Sequence, residues 1–322
     1  MNNCKFNIDF IKNRKIYFTI SIILMVFCIL SSFIFGAKLD IQFKGGTLIT
    51  YLYDGDIDLN TFQNDASAAL EGIGVKATTG TDFTTGKNNI QLSMLSNSGL
   101  TADKQMVLTT TLEEKYAANN LELVESTDVS PSAGKEFFSK CIVAASFAAL
   151  VLIIYIALRF KNIGGWIAGV CAIAALIHDI IVVYGTFIVC GMEIDANFMA
   201  VVLTIFGYSI NSTIVIYDRI RENNKLYGKK YSLAELTNMS VNQSMTRSIN
   251  TNITTVSAMI VISIVAVVYG VNSIISFAFP MTMGLLSGAY TSTCIAGPLW
   301  VWLEEKKSGK GKPAAPEKSA EA

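Results

Sequence analysis

The chain has 322 residues, of which 52% are apolar and only 16% are charged, and its formal net charge is zero. Its mean hydropathy of +0.45 is typical of a membrane protein rather than a soluble domain. A balanced charge gives no electrostatic reason to expect a nucleic-acid partner. The positions of the charges along the chain are therefore more informative than their sum.

The first apolar run, residues 16–37, contains no charged residue and is long enough to cross a bilayer as a helix. Basic residues precede it in residues 1–15, as they do in a signal peptide. However, the run is longer than the roughly 7–15 residues of a signal-peptide core, and no small-x-small cleavage site follows it. The pattern predicts an uncleaved membrane helix.

Residues 38–136 form a polar segment that has no arginine and an excess of acidic residues. Four stretches have the composition of strands: Gly46–Tyr53, Val75–Thr79, Asn89–Leu95 and Leu121–Ser126. Two helices are predicted between them, one from its N-cap Asp58 to about Leu70 and one from its N-cap Thr101 to about Ala118. The order βαββαβ predicts a two-layer α+β domain of the ferredoxin-like type.

Residues 137–303 are predicted to hold five more membrane helices. The second, third and fourth correspond to the apolar runs 141–158, 162–192 and 196–217. The charge-free run 248–303 has room for the fifth and sixth, divided near residues 269–272. The expected fold is therefore a polytopic α-helical membrane protein with six transmembrane helices and one α+β domain.

Basic residues fall on one side of this predicted topology. They occur in residues 1–15, between the second and third helices, after the fourth helix, in a loop expected to end at Arg247, and in residues 304–322. The positive-inside rule assigns this side to the cytoplasm. Both termini are then cytoplasmic and residues 38–136 lie outside. The tail, residues 304–322, is rich in Lys, Pro and Ala and is predicted to be disordered.

The sequence contains no feature of an ordinary enzyme. It has no nucleophile triad, no phosphate-binding glycine loop and no metal-ligand spacing. The cysteines, which all lie outside residues 38–136, are Cys4, Cys28, Cys141, Cys171, Cys190 and Cys294. We therefore expect no catalytic residue, no metal, no cofactor and no disulfide framework in the outer domain.

The most informative stretch is Gly207–Asn223, which reads GYSINSTIVIYDRIREN. Its first part places polar residues, including Asn211, Ser212 and Thr213, inside the fourth predicted helix. Polar groups at membrane depth usually face a bundle interior or an ion path. Its second part is charged and contains Asp218, Arg219, Arg221 and Glu222. These four residues fit an ion-paired turn at the interface or a contact with a cytoplasmic partner.

This stretch resembles the fourth transmembrane helix of the SecF family, which commonly reads GYSINDTVVVFDRIREN. Four further segments carry the resemblance: LDIQFKGGT (39–47), VSPSAGKE (129–136), IYIALRF (154–160) and LIHD (176–179). It extends over nearly all of residues 5–303. The first segment contains Gly45 and Gly46, whose expected role is a turn that leads into the outer domain and places it over the membrane.

The resemblance implies a function in the cytoplasmic membrane of a bacterium. Members of the SecF family form half of an RND-type bundle, which a SecD subunit completes. The implied role is late-stage preprotein export after SecYEG and the ATPase SecA have acted, with an ion gradient driving the outer domains that hold the unfolded preprotein. The implied partners are SecD, SecYEG with SecA, the preprotein and the lipid bilayer.

One departure from the family bears on ion coupling. Ser212 stands where the family has a proton-path acid, whereas Arg247 matches the arginine that works with that acid. A hydroxyl cannot cycle a proton near neutral pH. The acid of the SecD subunit could carry the whole path, or sodium could bind to oxygens of Asn211, Ser212 and Thr213, or the subunit has lost coupling and is a scaffold.

Asp179 is a second acid inside the predicted bundle, but the family also has an Asp at this position. A polar contact between Asp179 and the fourth helix is therefore favoured over replacement of the missing acid. Two other classes of function stay open. One is an RND-type exporter of small molecules, which usually has much larger outer loops, and the other is a non-conducting scaffold of the translocon.

Overall fold

The computed structural model of the chain describes residues 8–81, 87–94, 100–269 and 271–307. In chain order its main elements are α1 (Arg14–Phe35), α2 (Ile41–Lys44), β1 (Gly46–Tyr53), α3 (Leu59–Ala69), β2 (Val75–Thr81), β3 (Asn88–Met94), α4 (Ala102–Lys115), β4 (Glu122–Val129), α5 (Pro131–Arg159), α6 (Gly165–Val189), α7 (Ala196–Tyr227), α8 (Leu233–Val268), α9 (Asn272–Thr291) and α10 (Gly297–Lys307). Most of the predicted tail, and Cys4, lie outside the described residues.

Six helical stretches are long and apolar enough to cross a membrane: α1, α5, α6, α7, α8, and α9 with its continuation through α10. The predicted six-helix architecture is confirmed. α9 and α10 are joined by a π-helical segment, Ser292–Ala296, so the last span is one continuous helical stretch but not a uniform α-helix. α6, α7 and the last span are the central helices, since half or more of the apolar window of each is buried, against 17% for α1.

α5 begins well before the predicted start at residue 141. The hydroxyl of Ser130 accepts a hydrogen bond from the Ala133 amide at 3.2 Å, and Pro131 occupies the first turn, where its missing N–H costs nothing. The polar lead-in segment 129–136 therefore forms the cap and first turns of the helix.

The basic loop between the fourth and fifth membrane helices is much shorter than the sequence predicts. α7 continues to Tyr227 and α8 starts at Leu233, so Arg247 lies well inside α8. A capping box starts α8: the Ser232 side chain accepts from the Glu235 amide while the Glu235 carboxylate accepts from the Ser232 amide. The start of α8 is polar yet packed, because the Asn242 side chain hydrogen-bonds both backbone groups of Ile8.

The outer domain has the predicted βαββαβ order. Its four strands form an antiparallel sheet in the order β2-β3-β1-β4, which is the split arrangement of a ferredoxin-like domain. α3 and α4 bury Phe62, Ala66, Leu108 and Leu112 against the inward-facing residues of the sheet. This core is separate from the core of the helical bundle.

The helix starts of this domain fall where the sequence predicts them. The Asp58 carboxylate accepts a hydrogen bond from the Thr61 amide at 2.9 Å and caps α3. Thr101 precedes α4 as predicted, but its side chain makes no capping hydrogen bond. The last strand is longer than predicted, because β4 continues to Val129 along β1.

A short helix, α2, links α1 to the outer domain and is missed by the sequence analysis. Its start is capped by Asp40, whose carboxylate accepts from the Ile41 amide at 2.6 Å. Backbone hydrogen bonds also join this segment to the loop between α6 and α7: the Asp40 amide donates to Ile194 O, and the Ile194 amide donates to Lys38 O. Because Ile194 immediately precedes Asp195, the N-cap of α7, these hydrogen bonds connect the outer domain directly to the N-terminus of α7.

Candidate functional site in the helical bundle

Asp179 of α6 is fully buried, and three hydroxyl groups donate hydrogen bonds to its carboxylate. Ser209 of α7 donates to Oδ2 at 2.7 Å, and Ser287 of α9 donates to Oδ1 at 2.6 Å. Thr291 of α9 lies 3.0 and 3.1 Å from the two oxygens. Hydroxyl-to-carboxylate distances this short are typical of an ionised acceptor. One acid thus joins α6 to α7 and α9; we call Asp179, Ser209, Ser287 and Thr291, with the adjacent His178, the Asp179 cluster.

His178 is 3% exposed and lies at the edge of this cluster. Its Nδ1 is 3.2 Å from the Ser287 hydroxyl and 3.6 Å from Asp179 Oδ1, while its Nε2 has no hydrogen-bond partner among the described residues. The ring also contacts Tyr290, whose hydroxyl donates to Tyr17 O of α1 at 2.8 Å. The cluster is therefore connected to α1 as well.

The predicted polar contact between Asp179 and the fourth membrane helix is present as the hydrogen bond that Ser209 donates. Sequence reasoning missed Ser287 and Thr291. The two residues are four apart in a charge-free run, so they share one helix face, and that polar face was the available signal. Gly288 lies between them, and a Cβ there would meet the Ser209 hydroxyl at 2.9 Å, so glycine permits the close approach of α7 and α9.

Asn211, Ser212 and Thr213 do not converge on one point. Asn211 is exposed on the outside of α7, Ser212 is half-buried, and Thr213 is buried, with its hydroxyl 3.5 Å from Ser209 O. Consecutive helical residues point in different directions, so these three side chains cannot surround one ion. A sodium site built from these oxygens stays a prediction, and it would need further ligands from elsewhere.

Arg247 is exposed on α8 and makes no hydrogen bond or ion pair with any described residue. The antiparallel register of α7 and α8 is set by two contacts, from the Tyr208 hydroxyl to Thr251 O and from Arg219 Nε to Gln243 Oε1. This register puts Arg247 level with the half-buried Ser212. The arginine and the position of the missing acid are therefore at one depth.

A polar face surrounds this position on the outside of the bundle. We call it the α7–α8 face, and its exposed members are Ala200, Thr204, Gly207 and Asn211 of α7 with Arg247, Asn250, Thr251 and Thr254 of α8. A Cβ added at Gly207 would meet nothing within 4 Å, so the backbone of α7 is open to a close neighbour there. The exposed residues of α1, in contrast, are large and apolar, such as Ile23 and Phe27.

The charged end of α7 forms ion pairs on a continuous helix rather than in a turn. Asp218 Oδ1 is 2.6 Å from Arg221 and 3.3 Å from Arg159 of α5. Arg219 pairs with Glu222 at 2.6 Å. These side chains are partly exposed, so each pair adds little to stability, but the contact with Arg159 joins α5 to α7.

Gly45 and Gly46 form the predicted turn into β1. Gly45 has φ of 86° and Gly46 has φ of 153°. A Cβ on Gly46 would collide with Met94 O, and the positive φ of Gly45 strains any other residue, so both positions favour glycine. Nearby, burial raises the pKa of Asp40, and the adjacent carboxylates of Glu193 and Asp195 raise this pKa further.

No group of three or more His, Cys, Asp or Glu residues that could hold a metal occurs in the described part of the chain.

Six apolar helices around a buried acid, with one α+β domain outside the bundle, define a polytopic membrane protein with polar groups inside and on one side of its bundle. The sequence model of the family described as protein export membrane protein SecD/SecF, C-terminal, matches residues 108–306. The translocase subunit SecF of Petrotoga mobilis is 31% identical over 94% of this chain and 97% of its own length. SecF of Acidaminococcus fermentans is 33% identical over 94% of this chain and 98% of its own length.

Longer relatives match this chain with part of their length. The translocase subunit SecDF of Bacillus subtilis is 31% identical over 91% of this chain but only 38% of its own length. The crystal structure of SecDF from Thermus thermophilus has a TM-score of 0.76 at 26% identity and matches 95% of this chain with 40% of its own. The chain belongs to the SecF family of protein translocase subunits. It has a SecF-like role in protein translocation as a multi-pass protein of the bacterial membrane.

Proposed function

We propose that this chain is half of a membrane unit that a SecD-like subunit completes, and that the unit helps preproteins to cross the cytoplasmic membrane. It acts on unfolded preproteins after SecYEG and SecA have moved them, and it draws on an ion gradient without catalysing a reaction. The fused SecDF relatives support the pairing, since the chain matches only about two fifths of their length.

The α7–α8 face is the observation that carries this proposal. Small and polar side chains there are exposed in the isolated chain, although they lie on two membrane helices. The hydroxyls of Thr204 and Thr254 donate to carbonyls of their own helices. Lipid cannot hydrogen-bond to the side chains of Asn211, Arg247 and Asn250, whereas a second set of helices can satisfy them and pack closely against the small residues. A membrane partner of the same helical kind suits this face better than lipid.

Arg247 supports one of the three mechanisms of ion coupling over the others. Its charge has no described partner within the chain, and Ser212 at the same depth cannot supply one. A charged side chain at membrane depth normally has a partner or lines a polar path. An acid on the SecD-like subunit, facing Arg247 across the α7–α8 face, would supply the missing negative charge and carry the ion path.

The orientation rests on the basic residues. Both termini and the linker between α7 and α8 lie in the cytoplasm, and residues 38–136 lie outside, where they meet the emerging preprotein. The direct backbone link between Ile194 and the outer domain would transmit motion of α7 to that domain.

Co-purification tests the proposal. The full chain, tagged at its C-terminus and solubilised in mild detergent, should bring down a SecD-like protein, and depletion of the chain should slow the export of a reporter preprotein. A stable homodimer without any SecD-like protein, together with unchanged export after depletion, would contradict the proposal.

A further inference from the structure

The Asp179 cluster is separate from the α7–α8 face, and the contact with a SecD-like subunit does not involve it. Its carboxylate is fully buried, and no lysine or arginine of the described residues pairs with it. An isolated ionised carboxylate in such surroundings is costly unless another charge neutralises it. The cluster therefore needs either a proton or a bound cation.

The distances within the cluster favour a proton. The Asp179 oxygens lie 2.6 and 2.7 Å from the two serine hydroxyls, so these oxygens already touch as hydrogen-bonded pairs. A cation such as calcium holds its oxygen ligands about 2.3–2.6 Å from itself, which spreads neighbouring ligands wider than a hydrogen bond. The oxygens of this cluster are spaced as hydrogen-bonded pairs rather than as the ligands of one ion.

His178 is the group that can carry the neutralising proton. Its Nδ1 lies near both Asp179 Oδ1 and the Ser287 hydroxyl, and an imidazole ring can hold a proton on each of its nitrogens. We propose that His178 and Asp179 form a proton-binding site that holds one exchangeable proton inside this chain. The site exists whether or not the α7–α8 face binds a partner, but its use in export rests on the function proposed above.

Few other titratable groups surround this pair. From the elements packed against α6, those nearest are Tyr17 and Cys28 of α1, Cys141 and Tyr155 of α5, Tyr208 and Tyr217 of α7, Tyr290 of α9, Cys294 of the π segment and Glu304 of α10, and the Tyr217 hydroxyl donates to Ala168 O instead. Tyr208 donates to α8 instead, Tyr155 is exposed, and Glu304 contacts Gly164 at the far end of α6. None of these residues is a cation that could replace His178.

Proton occupancy would change the contacts between helices. If the proton moves from His178 to Asp179, one carboxylate oxygen becomes a donor, and a hydroxyl donor that it now accepts must turn to accept from it instead. Those donors belong to α7 and α9, and Thr291 directly precedes the π segment. Single π turns inside α-helices are frequent at functional sites. The proton site is thus placed to alter the packing of α7 against α9.

Difference infrared spectroscopy of the purified full chain, recorded between acid and alkaline pH, tests the site directly. The wild type should give pH-dependent carboxyl and imidazole bands that both Asp179→Asn and His178→Gln remove. Ser287→Ala keeps both titratable groups, so it should keep these bands with a changed midpoint. Spectra that are the same in the wild type and in either Asp179→Asn or His178→Gln would overturn the proposal, and if Asp179→Asn fails to fold, His178→Gln and Ser287→Ala still provide the test.

Export of a reporter preprotein tests the use of the site. Asp179→Asn should lower the export rate by about 5-fold or more while the proton gradient is present, and should have little effect after a protonophore has dissipated it. An equal loss with and without protonophore would mean that Asp179 is only structural and would overturn the coupling. Failure to find a SecD-like partner would instead overturn the proposed function and leave the infrared bands in place.

Discussion

Ser212 and Arg247 lie at one depth on neighbouring helices, yet neither side chain makes a hydrogen bond with the other. The resemblance to the SecF family implies an acid at the position of Ser212, so the arginine here lacks the neighbour that the resemblance implies. A hydroxyl can donate and accept hydrogen bonds but cannot carry charge near neutral pH. The two residues should therefore differ in importance, because Arg247 still brings a charge that a partner can use and Ser212 does not.

Ser212→Ala should weaken export only mildly, whereas Arg247→Ala should weaken it more. Removing Arg247 takes away a positive charge that would keep an opposing acid ionised. Export of a reporter preprotein in cells measures both variants, and Ser212→Asp, which places an acid at this position, should increase the sensitivity of export to a protonophore. The interpretation is wrong if Ser212→Ala abolishes export as completely as deletion of the gene, because Ser212 would then itself bind the ion.

Two elements of the outer domain, α3 and α4, are joined by Asp65. Its carboxylate pairs with Lys115 at 2.6 Å and accepts a hydrogen bond from the Tyr116 hydroxyl at 2.7 Å. The bonds from Lys115 and Tyr116 lower the pKa of Asp65. Because the pKa of Asp65 is lower in the folded domain, its contacts stabilise the fold at pH values above the unfolded pKa of Asp, about 3.9. This stabilisation is lost as the pH falls through the pKa of Asp65 in the folded domain.

Thermal unfolding of the fragment 38–136, followed by circular dichroism, tests this contribution. The melting temperature of the wild-type fragment should fall as the pH is lowered from about 5 to about 3. Asp65→Asn should melt lower at neutral pH and show a smaller fall. Glu114→Gln removes an exposed carboxylate of the same helix pair and should behave like the wild type. An equally steep fall in Asp65→Asn would show that the pair does not stabilise the domain.

The elements differ in how well the sequence predicts them. β1 is predicted residue for residue, because its β-branched and aromatic residues are typical of a strand and its burial alternates along the chain. The start of α8 is missed, because Asn242 and its neighbours are polar residues buried by packing against the N-terminal segment, so hydropathy marks them as loop. The partners of Asp179 come from α7 and α9, and only the packing of those helices brings them together.

At the scale of the whole molecule, the basic residues predict which side of the membrane each end occupies. Asn88→Cys, in the outer domain, should react with a membrane-impermeant thiol reagent added to intact cells. Lys229→Cys, in the link between α7 and α8, should react only after the cells are permeabilised. Both belong in a background that lacks the exposed Cys190 and half-buried Cys141. The reverse labelling pattern would show that the topology is the opposite of the one proposed.

The central claim is that the α7–α8 face binds a SecD-like subunit, and site-specific photocrosslinking in cells tests it most directly. A photoreactive residue at position 250, on this face, should form a covalent product with the SecD-like protein. The same residue at position 23, on the apolar exposed side of α1, should face lipid and form no such product. A product between two copies of this chain from position 250, or an equal yield of the SecD-like product from both positions, would contradict the account.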